Sequence, residues 1–328
     1  MMQRNKSLIA GAVLSILTTF CGVASANPDR FPEKPITILV GYPAGQSVDI
    51  LARMIGEGLS QHLGQPVIVE NRPGAGGAIA TAAITKANPD GYTLSMGASG
   101  PLAIAPHLFK SVTYDPRNDF SALMHVASVA QTLVVSSKSN IKTMGDLIKQ
   151  AKESPGKMNF GSPGNGSTSH LTQEMFKQRA GVQMTHVPYK GGQAAIADLI
   201  GGQIDVLFEA SPIVTPLVKQ GQLRALAVST SKPIQTLPDT PTVASQGLNP
   251  FEAVGWMGMI GPAGMDPKVV AKLHSAMEKT MQDPAVKQKL DALGMIPVGD
   301  RPDQFDQFLK SEYNKWGEVV KNANVKIE

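Results

Sequence analysis

The chain has 328 residues, 42% of hydrophobic type and so sufficient for a packed core, and 30 Lys and Arg stand against 26 Asp and Glu for a formal charge of +4. A balance so close to neutral, with no basic cluster interleaved with aromatic residues, argues against nucleic acid as a partner and leaves at most a mild pull on anions. One cysteine, Cys21, and six histidines (His62, His107, His125, His170, His186, His274) without HExxH or similar spacing give no reason to expect a metal or a cofactor.

Arg4 and Lys6 precede an apolar run from Leu8 to Phe20, and Ala24-Ser25-Ala26 places small residues just before Asn27. That is the pattern of a cleavable secretory signal peptide, expected to span residues 1–26. The run is about 13 residues, short of the roughly 20 that cross a bilayer. Removal of the leader takes the sole thiol with it, and Phe20 is too bulky for lipoprotein processing at Cys21. A periplasmic protein without disulfide, catalytic cysteine or lipid anchor is therefore expected, with two fewer positive charges. The remaining ~300 residues allow two lobes, each with its own core.

In chain order, apolar and β-branched runs predict strands at Ile36 to Val40, Pro66 to Glu70, Thr93 to Met96, Leu133 to Ser136, Met158 to Gly161, His186 to Tyr189, Asp205 to Phe208 and Ala225 to Ser229. Helical periodicity predicts helices between them, at Val48 to Leu63, Met144 to Glu153, Leu171 to Arg179, Ala194 to Ile200 and Ile213 to Lys219. This alternation indicates an α/β fold with parallel pairing. Pro233 to Pro250 reads as a crossover. Asp266-Pro267 and Asp283-Pro284 each begin a helix with a capping residue and proline at the first position, and a third helix follows from Pro302 to Val320. This helical block is expected to return to the first lobe, which gives lobe 1 as 27–130 with 251–328 and lobe 2 as 131–250.

Four glycine- or serine-rich turns follow strands. Tyr42 to Asp49 and Gly161 to Ser169 each open a helix, whose unpaired N–H groups and partial positive charge suit a carboxylate or phosphate. Tyr189-Lys190-Gly191-Gly192 and Ser95 to Pro101 are similar turns, offering the Tyr189 ring and the Ser99 hydroxyl. In doubly wound sheets, ligands lie beyond the carboxyl ends of strands, where all four turns fall. The plainer alternative makes them ordinary loops, with Ser47 and Ser167 as helix N-caps and Asp49 as a carboxylate facing its helix dipole. Enzyme signatures are weak. Gly164-x-Gly166-x-x-Ser169 lacks the last glycine of a dinucleotide fingerprint, there is no phosphate-binding P-loop, and Gly97-Ala98-Ser99-Gly100-Pro101 fails the nucleophile elbow at its fifth position.

The run Pro43 to Gly77, with its Glu70-Asn71-Arg72-Pro73-Gly74-Ala75-Gly76-Gly77 stretch, resembles the Bug family, the TctC-like extracytoplasmic receptors of tripartite tricarboxylate transporters. SMGASGPLAIAPHLF, FGSPGNGSTSHL, VPYKGGQAAIADLIGGQIDV and LRALAVSTSKP extend the resemblance over essentially the whole mature chain. It implies a type II periplasmic binding protein fold, two α/β lobes around a ligand cleft, and a monomer that passes a small carboxylate to membrane permease subunits. Carried onto this sequence, the ligand-binding positions are Tyr42, Ala44, Gly45, Gln46, Ser47, Ser162, Gly166, Ser167 and Thr168, with Ser99 and Tyr189 as further candidates. Gln46 and Glu209 depart from the family pattern; a cleft-facing Glu209 would repel a second carboxylate and favour an amino or hydroxyl group. A receptor that signals ligand to a sensor, or a periplasmic hydrolase or isomerase on the same fold, is the alternative. Dicarboxylates, tricarboxylates, acidic amino acids and aromatic carboxylates all fit a two-turn clamp.

Overall fold

Each of the eight apolar runs forms a strand in the computed structural model, which describes residues 28–325. The signal peptide expected at residues 1–26, Cys21 included, lies outside the described residues. The first strand, β1 (Ile36–Val40), is apolar because helices cover both sheet faces, and it pairs in parallel with β2 (Val67–Asn71) and β3 (Thr93–Ala98). Between β1 and β2 runs α1 (Ser47–Leu63), ended by Gly64 in the left-handed conformation as its sequence predicts. The helix α2 (Ala78–Ile84), a π-helical turn at Gly100–Ile104 and the short α3 (Ala105–Leu108) complete this part.

The next strand, β4 (Phe120–Ser136), is 17 residues long. Beyond it lie α4 (Met144–Glu153), β5 (Asn159–Ser162), α5 (Thr168–Ala180), β6 (Thr185–Pro188), α6 (Gly192–Gly201), β7 (Val206–Ala210), α7 (Ser211–Lys219) and β8 (Leu223–Val228). The chain then returns through β9 (Val254–Pro262), α8 (Pro267–Gln282), α9 (Pro284–Ala292), β10 (Ile296–Pro297) and α10 (Pro302–Ala323). Asp266 and Asp283 cap α8 and α9 as expected, each accepting a backbone N–H at 2.8 Å.

The strand order is β2-β1-β3-β9-β4-β7-β5-β6, with β8 and β10 also paired to β4. Among the described strands, parallel pairing holds within β1, β2 and β3 and within β5, β6 and β7, besides a single parallel bridge from Val228 to Thr242. At the centre β9 runs antiparallel to both β3 and β4, and β4 runs antiparallel to β7 and β8. The long β4 joins the two parallel groups: Phe120 to Ala130 pair with β9, and Gln131 to Ser136 pair with β7 and β8. Where it crosses, Ser229 exchanges backbone and side-chain hydrogen bonds with Gln131 and with Ala253, so the outgoing and returning chains are tied at one level.

The helical block reaches further than the sequence predicts. While α8 packs on α1, α10 contacts both β4 and α5, and Gln178 Nε2 donates to the Val319 carbonyl at 3.2 Å. One apolar cluster therefore runs from Phe160, Phe176 and Phe208 to Trp256, Phe305 and Trp316. At its edge buried Glu312 accepts from the indole N–H groups of Trp256 (2.9 Å) and Trp316 (3.0 Å).

Candidate functional site

Four turns lie at strand ends, and hydrogen bonds of their own hold each in shape. In the first, Gly45 has φ +83°, a conformation side chains with a β-carbon rarely take. Its N–H donates to Asp49 Oδ2 at 2.8 Å, and Asn71 Nδ2 donates to Asp49 Oδ1 (2.8 Å) and to the Tyr42 carbonyl (3.0 Å). Arg53 adds Nε to Oδ2 at 3.1 Å and Nη2 to Asn71 Oδ1 at 2.9 Å. Burial alone would raise the Asp49 carboxyl; the Arg53, Gly45 and Asn71 donors outweigh it and hold the group below the usual range. Asp49 is thus a clasp for the turn, a role beyond facing a helix dipole. Ala44, Gly45, Gln46 and Ser47 are exposed, and Tyr42 is half-buried with its hydroxyl on the Gly76 carbonyl (3.1 Å). The N-cap of α1 is Gln46 rather than Ser47, without a side-chain cap. By helix geometry the N–H groups of Ser47, Val48 and Asp49 have no intrahelical acceptor.

The second turn is organised from beneath. Ser167 is the N-cap of α5, accepting from the His170 N–H (3.2 Å) and donating to the Gly164 carbonyl (2.8 Å). Gly166, at φ +73°, gives its N–H to His170 Nδ1 at 3.1 Å. Ser162 is fully buried, with its hydroxyl on His186 Nε2 (2.7 Å) and the Gly164 backbone. It supports the turn rather than lining the cleft. The His170 and His186 rings stack at 3.8 Å between centroids and 9° between planes, and Phe160 stacks on His186. Burial pushes His170 down to about 3 and His186 to about 4, so the stack is neutral at pH 7. Thr168 and Ser169 supply the first-turn amides without intrahelical acceptors.

The other two turns adjoin these. Gly191 N–H bonds the Pro163 carbonyl at 3.0 Å, which fastens the third turn to the second. The Tyr189 hydroxyl is turned away to Asp198 Oδ2 at 2.7 Å, so at most its ring face is on offer. Glu209 is buried at the end of β7. The Ser99 hydroxyl, at the end of the fourth turn, lies 3.4 Å from Thr168 Oγ1 and bridges the turns of the two parallel groups. Sequence reasoning missed the Asn71 strut and the histidine stack. The signal for the stack was faint: His170 and His186 are separated by a whole helix, and only the pairing of β5 with β6 brings them together.

A cavity of about 700 Å³ lies elsewhere, lined near the crossing by His125, Ser128, Thr230, Ile234 and Phe308. None of its lining residues belongs to the four turns, and His125 is already bonded to Ser128 at 2.9 Å. Among the described residues no group of three or more His, Cys, Asp and Glu is arranged to hold a metal, and no helix is long and apolar enough to cross a membrane.

Comparison with known proteins bears directly on this arrangement. Residues 51–325 match the family described as "Tripartite tricarboxylate transporter family receptor". The chain belongs to this receptor family. It is 36% identical over 319 residues to protein BugT of Bordetella pertussis, covering 97% of this chain and 98% of that one. A solved structure of R. palustris Rpa4515 with adipate superposes with a TM-score of 0.75 at 32% identity, over 90% of this chain and 99% of that chain. MatC from Rhodopseudomonas palustris with bound malate gives 0.72 at 28%, over 88% and 100%. The receptor thus has the periplasmic binding protein fold of the TctC and Bug proteins, in which its glycine turns and open helix N-termini are set.

Proposed function

We propose that the chain is a periplasmic solute receptor that holds a small carboxylate between two lobes, 27–130 with 251–328 and 131–250, and delivers it to the membrane subunits of a tripartite transporter. The carrying observation is the pair of helix N-termini at α1 and α5, each with first-turn amides that have no intrahelical acceptor, on a turn fixed by its own hydrogen bonds; Ser99 of the fourth turn meets Thr168 of α5. Such termini favour anions without any arginine in the turn. Neighbours solved with adipate and malate support this ligand class. We read the protein as a monomer released from its signal peptide, without cofactor and without catalysis. Ser162 and His186 do stand at the distance of a nucleophile and its base, but Ser162 is fully buried, which gives a substrate carbonyl no path to its oxygen.

Titration calorimetry of the mature protein with dicarboxylates, tricarboxylates, acidic amino acids and aromatic carboxylates tests this. At least one should bind and be recovered unchanged, and at one hundred times its Kd it should add about 2.7 kcal/mol of stability. Binding by none, or turnover of one, would overturn the proposal.

A further inference from the structure

The cavity of about 700 Å³ near the crossing has the size of a small-molecule pocket, for which roughly 300–1,000 Å³ is usual. Ala130 and Thr230 border it, next to Gln131 and Ser229 of the crossing, and residues of α9, β10 and α10 close its other side. Of the lining residues, Ile234, Val254 and Met295 are buried and Ile296 and Phe308 half-buried, so its interior is mainly apolar. Its charges are mostly negative. Asp291, Asp300 and Glu252 stand against Lys232, and His125 is neutral at pH 7 because burial pushes it down to about 4. Asp300 is the least exposed of the three carboxyls, its side chain 20% accessible. Its Oδ1 accepts the His125 N–H at 2.9 Å, whereas Oδ2 lies 4.0 Å from His125 Nδ1, beyond hydrogen-bond reach. Burial raises this carboxyl above its usual range. The helix α9 ends at the same place, with Asp291 in its last turn and Gly294 and Met295 just beyond, so its negative pole adjoins the cavity.

We infer that this cavity is a second ligand site, for a small organic cation: a primary amine on an apolar body, with its ammonium at Asp300 and its hydrocarbon part against Val254, Ile296 and Phe308. The apolar lining gains from covering the body, and the carboxyls gain from the ammonium, whereas an anion there would meet three like charges. The site asks for the charge opposite to the one that suits the glycine turns. None of its residues belongs to those turns, so the inference does not rest on the carboxylate-receptor proposal.

The test compares amines with uncharged alcohols of the same shape by calorimetry on the mature protein: 2-phenylethylamine against 2-phenylethanol, and cyclohexylmethylamine against cyclohexylmethanol. At least one amine should bind about tenfold or more tighter than its alcohol, the worth of one hydrogen bond to a charged group. Asp300→Asn keeps an acceptor for the His125 N–H but removes the charge, and should bring amine and alcohol to within about threefold of each other. Val298→Trp sets a ring at the rim of the cavity, where Val298 is 42% exposed, and should weaken amine and alcohol alike by about tenfold. Thermal unfolding checks that each variant is folded. Should Asp300→Asn fail that check, the exposed Asp291→Asn should still lower the amine-to-alcohol ratio by about threefold. Absence of binding by both amines, amines no tighter than their alcohols, a ratio unchanged once a carboxyl is neutralised, or binding untouched by Val298→Trp overturns the inference and leaves the receptor proposal standing.

Discussion

Asp49→Asn is the most informative perturbation of the first turn, because it keeps the shape and changes only charge and one acceptor. Asp49 is 2% exposed and receives Gly45 N–H and Arg53 on one oxygen and Asn71 and Arg53 on the other. Whichever way the new amide is turned, its NH₂ faces a donor, either the Gly45 N–H or the Asn71 amide. One buried charge-assisted bond is then lost, at about 1.5–3 kcal/mol. The Arg53 side chain is half exposed, so its share of the ion pair is screened and adds at most about 0.5–1 kcal/mol. The sum is about 2–4 kcal/mol, read as a lower urea midpoint with unchanged slope. Affinity should fall too, since Gly45 loses the acceptor that holds its left-handed conformation. Arg53→Lys, which leaves the Gly45 and Asn71 bonds intact, should cost under about 1 kcal/mol and leave affinity within a few-fold. Stability of Asp49→Asn within about 0.5 kcal/mol of wild type, with normal binding, would refute the clasp.

Two further outcomes are expected. Ser167→Ala removes an N-cap and should lower stability by about 0.5–2 kcal/mol with a modest loss of affinity, whereas Gly166→Asp sets a negative side chain on the turn at φ +73° and should abolish calorimetric binding in a protein still folded by circular dichroism; near-normal affinity in Gly166→Asp would remove the second turn from the anion site. Stability should also fall as pH drops from about 6.5 towards 4, because unfolding frees His125, His170 and His186, held at about 4, 3 and 4, to take up protons that the native state refuses. Glu209 and Asp300, pushed up by burial, oppose that trend, so the melting temperature of Glu209→Gln should fall more steeply with acid than that of the wild type; a flat profile from pH 7 to 5 would contradict the neutral histidine stack.

The strands that the sequence revealed are those with β-branched or uniformly apolar runs, as at Ile36–Val40 and Val206–Ala210. The first three-quarters of β4 and all of β9 were not legible. Phe120 to Thr132 mixes Ser, Ala, His and Gln, and Val254–Pro262 is built from Gly, Met and Trp. Neither alternates, because neighbours cover both faces, and the small residues make strands only in the company of their partners. The antiparallel centre of the sheet was hidden for that reason. At the site, turn positions were legible from their glycines, but side-chain directions were not. Ser162 and Tyr189 could be placed on the right turns from sequence, yet the groups that take their hydroxyls, His186 and Asp198, lie 24 and 9 residues away.

These directions change how recognition works. In both glycine turns the side chains and the glycine N–H groups are largely bonded within the protein: Gly45 to Asp49, Gly166 to His170, Ser162 to His186, Ser167 to Gly164. On the proposed reading, the groups left for a ligand are main-chain amides at Ser47 to Asp49 and at Thr168 and Ser169, whose turns the internal bonds hold in shape. Affinity then owes little to ordering of loops on binding, since the entropy of fixing them has already been lost during folding. Neutral amides hold an anion less tightly than a bidentate arginine would, which favours release as well as capture. The link between α5 and α10, through Gln178 and the shared apolar cluster, joins the two parallel groups by packing as well as by the Gln131–Ser229–Ala253 crossing, so on the proposed reading closure of one group on the other is expected to be a small rotation that keeps this shared core intact.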